Sequence, residues 1–64
     1  MTGRIVRLVA EKGYGFIRAD DNREYFFHRS GLKNCQFDDL TIGKEVTFED
    51  AESDKGLRAE DIYV

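Results

Sequence analysis

Proline and tryptophan are absent from this 64-residue chain, and cysteine and histidine occur once each. Cys35 can form no internal disulfide and has no second thiol with which to build a metal site. It reads as an incidental free thiol, which fits a reducing compartment, so a cytoplasmic location is expected. His28 has no accompanying Ser, Cys or acid constellation, and no enzymatic activity is expected of it. Asp38 and Asp39 are adjacent acids with no further cluster, and read as loop solubilisers or a turn start rather than as metal ligands. No apolar stretch approaches the roughly 18 residues of a membrane helix. No charged segment followed by an apolar one opens the chain as a secretion signal would. Without proline or a Gly/Ser linker no internal boundary appears, so residues 1–64 are expected to form one domain. These absences leave a small protein expected to be monomeric, with no cofactor, no small-molecule substrate and no membrane partner.

What is present is apolar and aromatic: 41% of residues are hydrophobic and 12% are aromatic. A chain this short buries only about 60% of its unfolded surface and is marginal without staples. The net charge of −3 argues at first against a nucleic-acid partner, but it is unevenly spread. Residues 1–33 carry seven basic and four acidic side chains, against three basic and nine acidic in residues 34–64. One basic face approaching phosphates is compatible with that split, while the acidic residues between 45 and 54 read as a solvated strand and turn.

Glycine punctuates the chain at 3, 13, 15, 31, 43 and 56, and no helical periodicity of ordinary length survives between those positions. Strands account for the pattern better. They are expected near 3–9 ("GRIVRLVA"), 14–19 ("YGFIRA"), 24–28 ("EYFFH"), 45–51 ("EVTFEDA") and 57–64 ("LRAEDIYV"). "ADDNRE" supplies Asp and Asn for a tight hairpin turn, and Gly56 ends the turn "ESDKG". Alternation in the last strand slips around Asp61, which predicts a bulge or a change of face. "GLKN" is expected to make one helical turn. Five short strands expose edges unless they close, so the expected fold is all-β: a five-stranded antiparallel Greek-key barrel of the OB type.

Side chains alternate along a strand. Tyr14 and Phe16 share one face of the second strand, and Gly15 and Ile17 share the other. Ile17 belongs to the core, which sends Tyr14 and Phe16 outward. In matching register Phe26 and His28 stand beside them, while Tyr25 and Phe27 point in. Lys12 lies at the edge of this patch. A register slipped by one residue would instead bury Tyr14, Phe16, Phe26 and His28. Exposed rings at strands 2 and 3 of such a barrel suit the stacking of unpaired bases, and Gly13 and Gly15 are expected to leave room for bases lying flat.

The run "GRIVRLVAEKGYGFIRADDNREYFFHRS" resembles the start of a cold-shock domain of the bacterial and Y-box type. "KGYGFI" is similar to that family's first ribonucleoprotein-type motif and "YFFHRS" to its second. "LTIGKEVTFE" and "KGLRAEDI" continue the resemblance to the end of the chain. It implies sequence-tolerant binding of single-stranded RNA and DNA, often as an RNA chaperone acting without ATP, and so a part in regulating gene expression. It also implies that Lys12, Tyr14, Phe16, Phe26, His28 and Phe37 form the binding face, with Lys55 and Arg58 near its rim. Two departures stand out. Arg7 stands where the family usually has Trp, and Arg29 where it usually has Phe. Both are expected to contribute to binding, by stacking or by contacting phosphates. Phe27 replaces a small aliphatic residue, so a rearranged core is expected. The alternative function is a protein-interaction module on a degenerate barrel of this kind.

Overall fold

A computed structural model describes residues 1–54 and 56–64. Lys55, one of the expected rim residues, lies outside the described residues. Five strands follow in chain order: β1 (Thr2–Val9), β2 (Tyr14–Ala19), β3 (Glu24–His28), β4 (Glu45–Ser53) and β5 (Gly56–Tyr63). They close into a barrel in the order β1-β2-β3-β5-β4, with β1 and β4 pairing at the last seam. Four seams are antiparallel, and β3–β5 is parallel. A ring of five strands cannot alternate direction at every seam, so one parallel seam is unavoidable. No helix among the described residues is long and apolar enough to cross a membrane.

Local chemistry sets the turns. Between β2 and β3, Asn22 adopts a left-handed φ of 69°. The Asp21 side chain accepts from the Arg23 amide at 3.0 Å, the local bond that suits Asp to turns. Gly56 opens β5 at φ 115°, a conformation that costs glycine little. The helical turn expected at "GLKN" falls earlier, as a short 3-10 turn over Arg29–Gly31, because His28 Nδ1 caps it by accepting from the Ser30 amide. A second 3-10 turn covers Phe37–Asp39, where the Asp39 carboxylate accepts from the Gln36 amide. Asp38 and Asp39 therefore serve a turn, as expected.

Two bulges decide which residues face in. On β5, pairing steps from Thr47↔Tyr63 to Glu49↔Glu60, so β5 carries an extra residue there. Asp61 takes a φ of 50° at this point. The buried positions Ala59 and Ile62 are thus three apart instead of two. This is the slip that the alternation around Asp61 predicts. On β1, pairing steps from Ile5↔Ile17 to Arg7↔Phe16. Val6 is the extra residue, and both Val6 and Arg7 remain exposed between the inward Ile5 and Leu8.

The core comprises Ile5, Ile17, Ala19, Tyr25, Phe27, Leu40, Val46, Phe48, Ala59 and Ile62. Phe27 is fully buried, and its larger ring is accommodated by glycine. A Cβ on Gly15 would approach the Phe27 ring to 2.8 Å and would also strike the Arg7 carbonyl oxygen. Gly15 is inward and filled from below, so the expectation that it leaves room for bases is corrected: its missing side chain makes room for Phe27. Gly13, at φ 71°, is likewise covered, by the stem of Arg29, whose Cδ would lie 2.8 Å from a Cβ there. Tyr25 is buried with its hydroxyl donating to Asp21 Oδ2 at 3.1 Å. Burial first, and that bond second, push its phenol above the ordinary value.

Candidate nucleic-acid interface

The β2–β3 pairing runs Tyr14↔His28, Gly15↔Phe27, Phe16↔Phe26, Ile17↔Tyr25 and Arg18↔Glu24. This is the matching register, and the slipped alternative is excluded: Tyr25 and Phe27 are buried while Tyr14, Phe16, Phe26 and His28 are half-buried on the outside. The three outer rings touch one another. Tyr14 lies 5.4 Å from Phe26 and 6.1 Å from Phe16, and Phe16 lies 5.9 Å from Phe26 in an edge-to-face contact. Such geometry suits the ring quadrupoles and holds each ring partly out of water without removing it from the surface.

Barrel register extends this patch sideways. Arg7 pairs with Phe16, Phe16 with Phe26, and Phe26 with Arg58 across the parallel seam. Four neighbouring strands thus contribute one row: guanidinium, ring, ring, guanidinium. The Arg7 Cζ lies 6.0 Å from the Phe16 centroid, and the Arg58 Cζ lies 5.7 Å from that of Phe26, both within cation–π range. Arg58, expected near the rim, is therefore part of the patch itself. Its place depends on a parallel seam joining strands distant in sequence, which no local pattern signals. The β1 bulge that keeps Arg7 outside had a visible signal in the three-residue spacing of Ile5 and Leu8.

The remaining expected residues divide. Lys12 is exposed in the turn joining β1 to β2. His28 sits beside Tyr14, and its Nδ1 accepts from the Ser30 amide at 3.2 Å with the Ser30 hydroxyl 2.9 Å away. A backbone N–H can only donate, so the ring proton of a neutral His28 sits on Nε2. Arg29 and Phe37 line a shallow groove of about 340 Å³ together with Leu32, Cys35, Gln36 and Asp38. Phe37 does not join the outer rings. It packs on the core side, 6.1 Å from Phe27. The Cys35 thiol in this groove is pushed up by burial and by Asp39, against a smaller opposing influence of Lys44, which leaves it a poor nucleophile.

Cations are sorted by position. Arg4, Arg18, Arg23 and Lys33 are each paired with a carboxylate, Glu45, Glu24, Asp21 and Asp61 respectively. Arg7, Lys12 and Arg29, around the ring patch, have no carboxylate partner among the described residues, and neither does Lys44 elsewhere. Of the two arginines in contact with the rings, Arg58 is paired with Glu60 and Arg7 is not, while Glu45, Glu49, Asp50, Glu52 and Asp54 stand exposed along β4 and its turn. The arrangement offers flat apolar faces for bases and unneutralised charge for phosphates. No cluster of three metal-ligating side chains occurs among the described residues.

Comparison with known proteins agrees in kind. The family model described as "'Cold-shock' DNA-binding domain" matches residues 1–64. Cold shock protein 1 of Lactiplantibacillus plantarum is 40% identical over 53 residues, covering 83% of this chain and 80% of that protein. Major cold shock protein CspA of Bacillus cereus is 32% identical over 62 residues, covering 97% of this chain and 92% of that protein. Among solved structures, Drosophila Unr CSD456 superimposes with a TM-score of 0.75 at 27% identity, over 95% of this chain and 24% of that longer one.

Proposed function

The chain belongs to the cold-shock domain family, and we propose that it binds single-stranded RNA and DNA on the outer face of β2 and β3. The observation that carries this reading is the row Arg7–Phe16–Phe26–Arg58, in which two rings are bracketed by two guanidinium groups. Tyr14, Phe16, Phe26 and His28 stack unpaired bases, each worth about 1–3 kcal/mol. Lys12, Arg7, Arg29 and Lys55 attract phosphates, and Arg58 meets the strand beside Phe26. Phe37 offers its exposed edge to a nucleotide entering the groove beside Arg29. Holding bases unpaired shifts hairpins toward the open form by mass action, without ATP, which is the activity of a non-enzymatic RNA chaperone or expression regulator. A cytoplasmic monomer accords with this reading.

The test is a titration with a fluorescently labelled oligouridylate at low salt. Saturable binding that weakens in Phe16→Ala and Phe26→Ala is expected. No binding at low salt would overturn the reading and leave the protein-interaction alternative. Undiminished binding by a variant carrying both Phe16→Ala and Phe26→Ala would move the strand to another surface.

A further inference from the structure

Resting on that single-strand reading, we infer that Arg58 makes the barrel guanine-selective at one nucleotide position, by reading the O6/N7 edge of a base stacked on Phe26. The two arginines of the row are not equivalent. Arg7 is exposed and has no carboxylate partner among the described residues. Arg58 is half-buried and held in place. Its Nε lies 3.7 Å from Glu60 Oε1, and the small Ala51 is its cross-strand neighbour. That Nε is buried and makes no hydrogen bond, yet 40% of the side chain remains exposed. The Nη groups are therefore the donors left for a ligand.

A base lying on Phe26 extends past the edge of the smaller ring, and the guanidinium stands 5.7 Å from that ring's centre. A guanidinium end presents two parallel donors. Guanine answers with two adjacent acceptors, O6 and N7, whereas adenine sets a donor beside N7 and uracil offers isolated carbonyls. In a single strand these edges are free of pairing partners. Cytosine also has adjacent acceptors, N3 and O2, but stacks with less area than a purine. An arginine already ordered loses less freedom on binding, which favours discrimination over simple charge attraction. Binding thus stays tolerant along most of the strand and selective where Phe26 and Arg58 meet it.

The test compares hexauridylate with hexamers carrying one guanosine, adenosine, cytidine or 7-deazaguanosine, using the full chain, Arg58→Lys and Phe26→Ala. The guanosine hexamer is expected to bind the parent about tenfold tighter than the adenosine or uridine versions. That ratio should fall toward one with 7-deazaguanosine, which lacks the N7 acceptor. It should also fall in Arg58→Lys, which keeps the charge but replaces the rigid planar fork with a point charge on a flexible stem. If guanosine gives no advantage while hexauridylate binds in a Phe26-dependent way, the guanine inference fails and the proposed function stands. An advantage that survives 7-deazaguanosine or is undiminished in Arg58→Lys, or that cytidine matches, overturns the edge-reading role. Absence of binding by every hexamer overturns both.

Discussion

The β2–β3 hairpin carries rings on both faces, and the two faces differ in what the rings touch. Inside, Tyr25 packs 5.2 Å from Phe48 of β4, and Phe27 packs 6.1 Å from Phe37 of the loop before it. These contacts tie the hairpin to residues ten and 23 positions further along the chain. Outside, Tyr14, Phe16 and Phe26 touch one another and two arginines from adjoining strands. The inner rings close the barrel. The outer rings add little to closure and leave flat surface at the exterior. Phe26 and Phe27 are neighbours in sequence and chemically identical, so the difference arises from the face each occupies.

Truncation should separate the two faces most sharply. Phe27→Ala should cost about 3–5 kcal/mol of stability, a large share of what so small a domain has, and chemical denaturation should show most of the population unfolded or near its midpoint. Phe16→Ala and Phe26→Ala should instead weaken oligonucleotide binding by about 1–3 kcal/mol each, with a smaller fall in melting temperature than Ile17→Ala produces. An outer-ring variant that binds normally but melts early would erase the distinction between the faces.

The inner face can be sharpened from its opposite side. Gly15→Ala pushes a methyl group into the Phe27 ring and should destabilise by about 1–3 kcal/mol. If that clash is the cause, combining it with Phe27→Val should cost less than the sum of the single changes, giving a measurable coupling energy. Strict additivity would place the penalty in the Arg7 carbonyl contact alone.

Arginine variants probe the rim of the outer face. Each phosphate neutralised contributes about 0.7 to the slope of log affinity against log salt for single strands. Changing Arg7 and Arg29 together to Gln should flatten that slope by about 1.4. An affinity loss without flattening would assign them to stacking on bases, and no change at any salt concentration would remove both from the interface.

The smallest expected effect lies inside again. Tyr25 has its phenol raised above the ordinary value by burial and by Asp21. Its contribution to stability is intact below about pH 10. Above that pH the unfolded chain loses the proton first, so stability falls as pH rises toward the folded-state pKa. In urea denaturation above pH 10, Tyr25→Phe should lose stability less steeply than the parent. Equal slopes would show that the hydroxyl is as readily ionised in the barrel as in the unfolded chain.

Strand positions, the Asn22 turn, the slip at Asp61 and the identity of the outer rings were legible because each depends on neighbours within a few residues. Ile17 set the inward face of β2, and alternation carried that choice to Phe16 and Tyr14. The roles of the two glycines in "KGYGFI" were not legible in the same way. Gly15 faces Phe27 and Gly13 lies beneath Arg29, and both occupants come from the far end of the hairpin. Only the resemblance places Phe37 on the binding face, since its loop has no periodicity from which to infer one, and its packing against Phe27 is decided by the tertiary structure.

The sequence by itself determined an all-β barrel and a hairpin with rings on both faces, because alternation and turn chemistry are local. Tertiary structure alone decided that Arg58 joins the rings. Closing five strands forces one parallel seam, and the register of that seam brings residues 26 and 58 side by side. Tertiary structure also decided which cations stay available. Arg4 finds Glu45 across the β1–β4 seam, while Arg7, beyond the bulge at Val6, has Phe16 as its strand partner and no carboxylate. Charge composition counts both arginines alike. Whether a charge is neutralised depends on what closure places within a few ångströms of it.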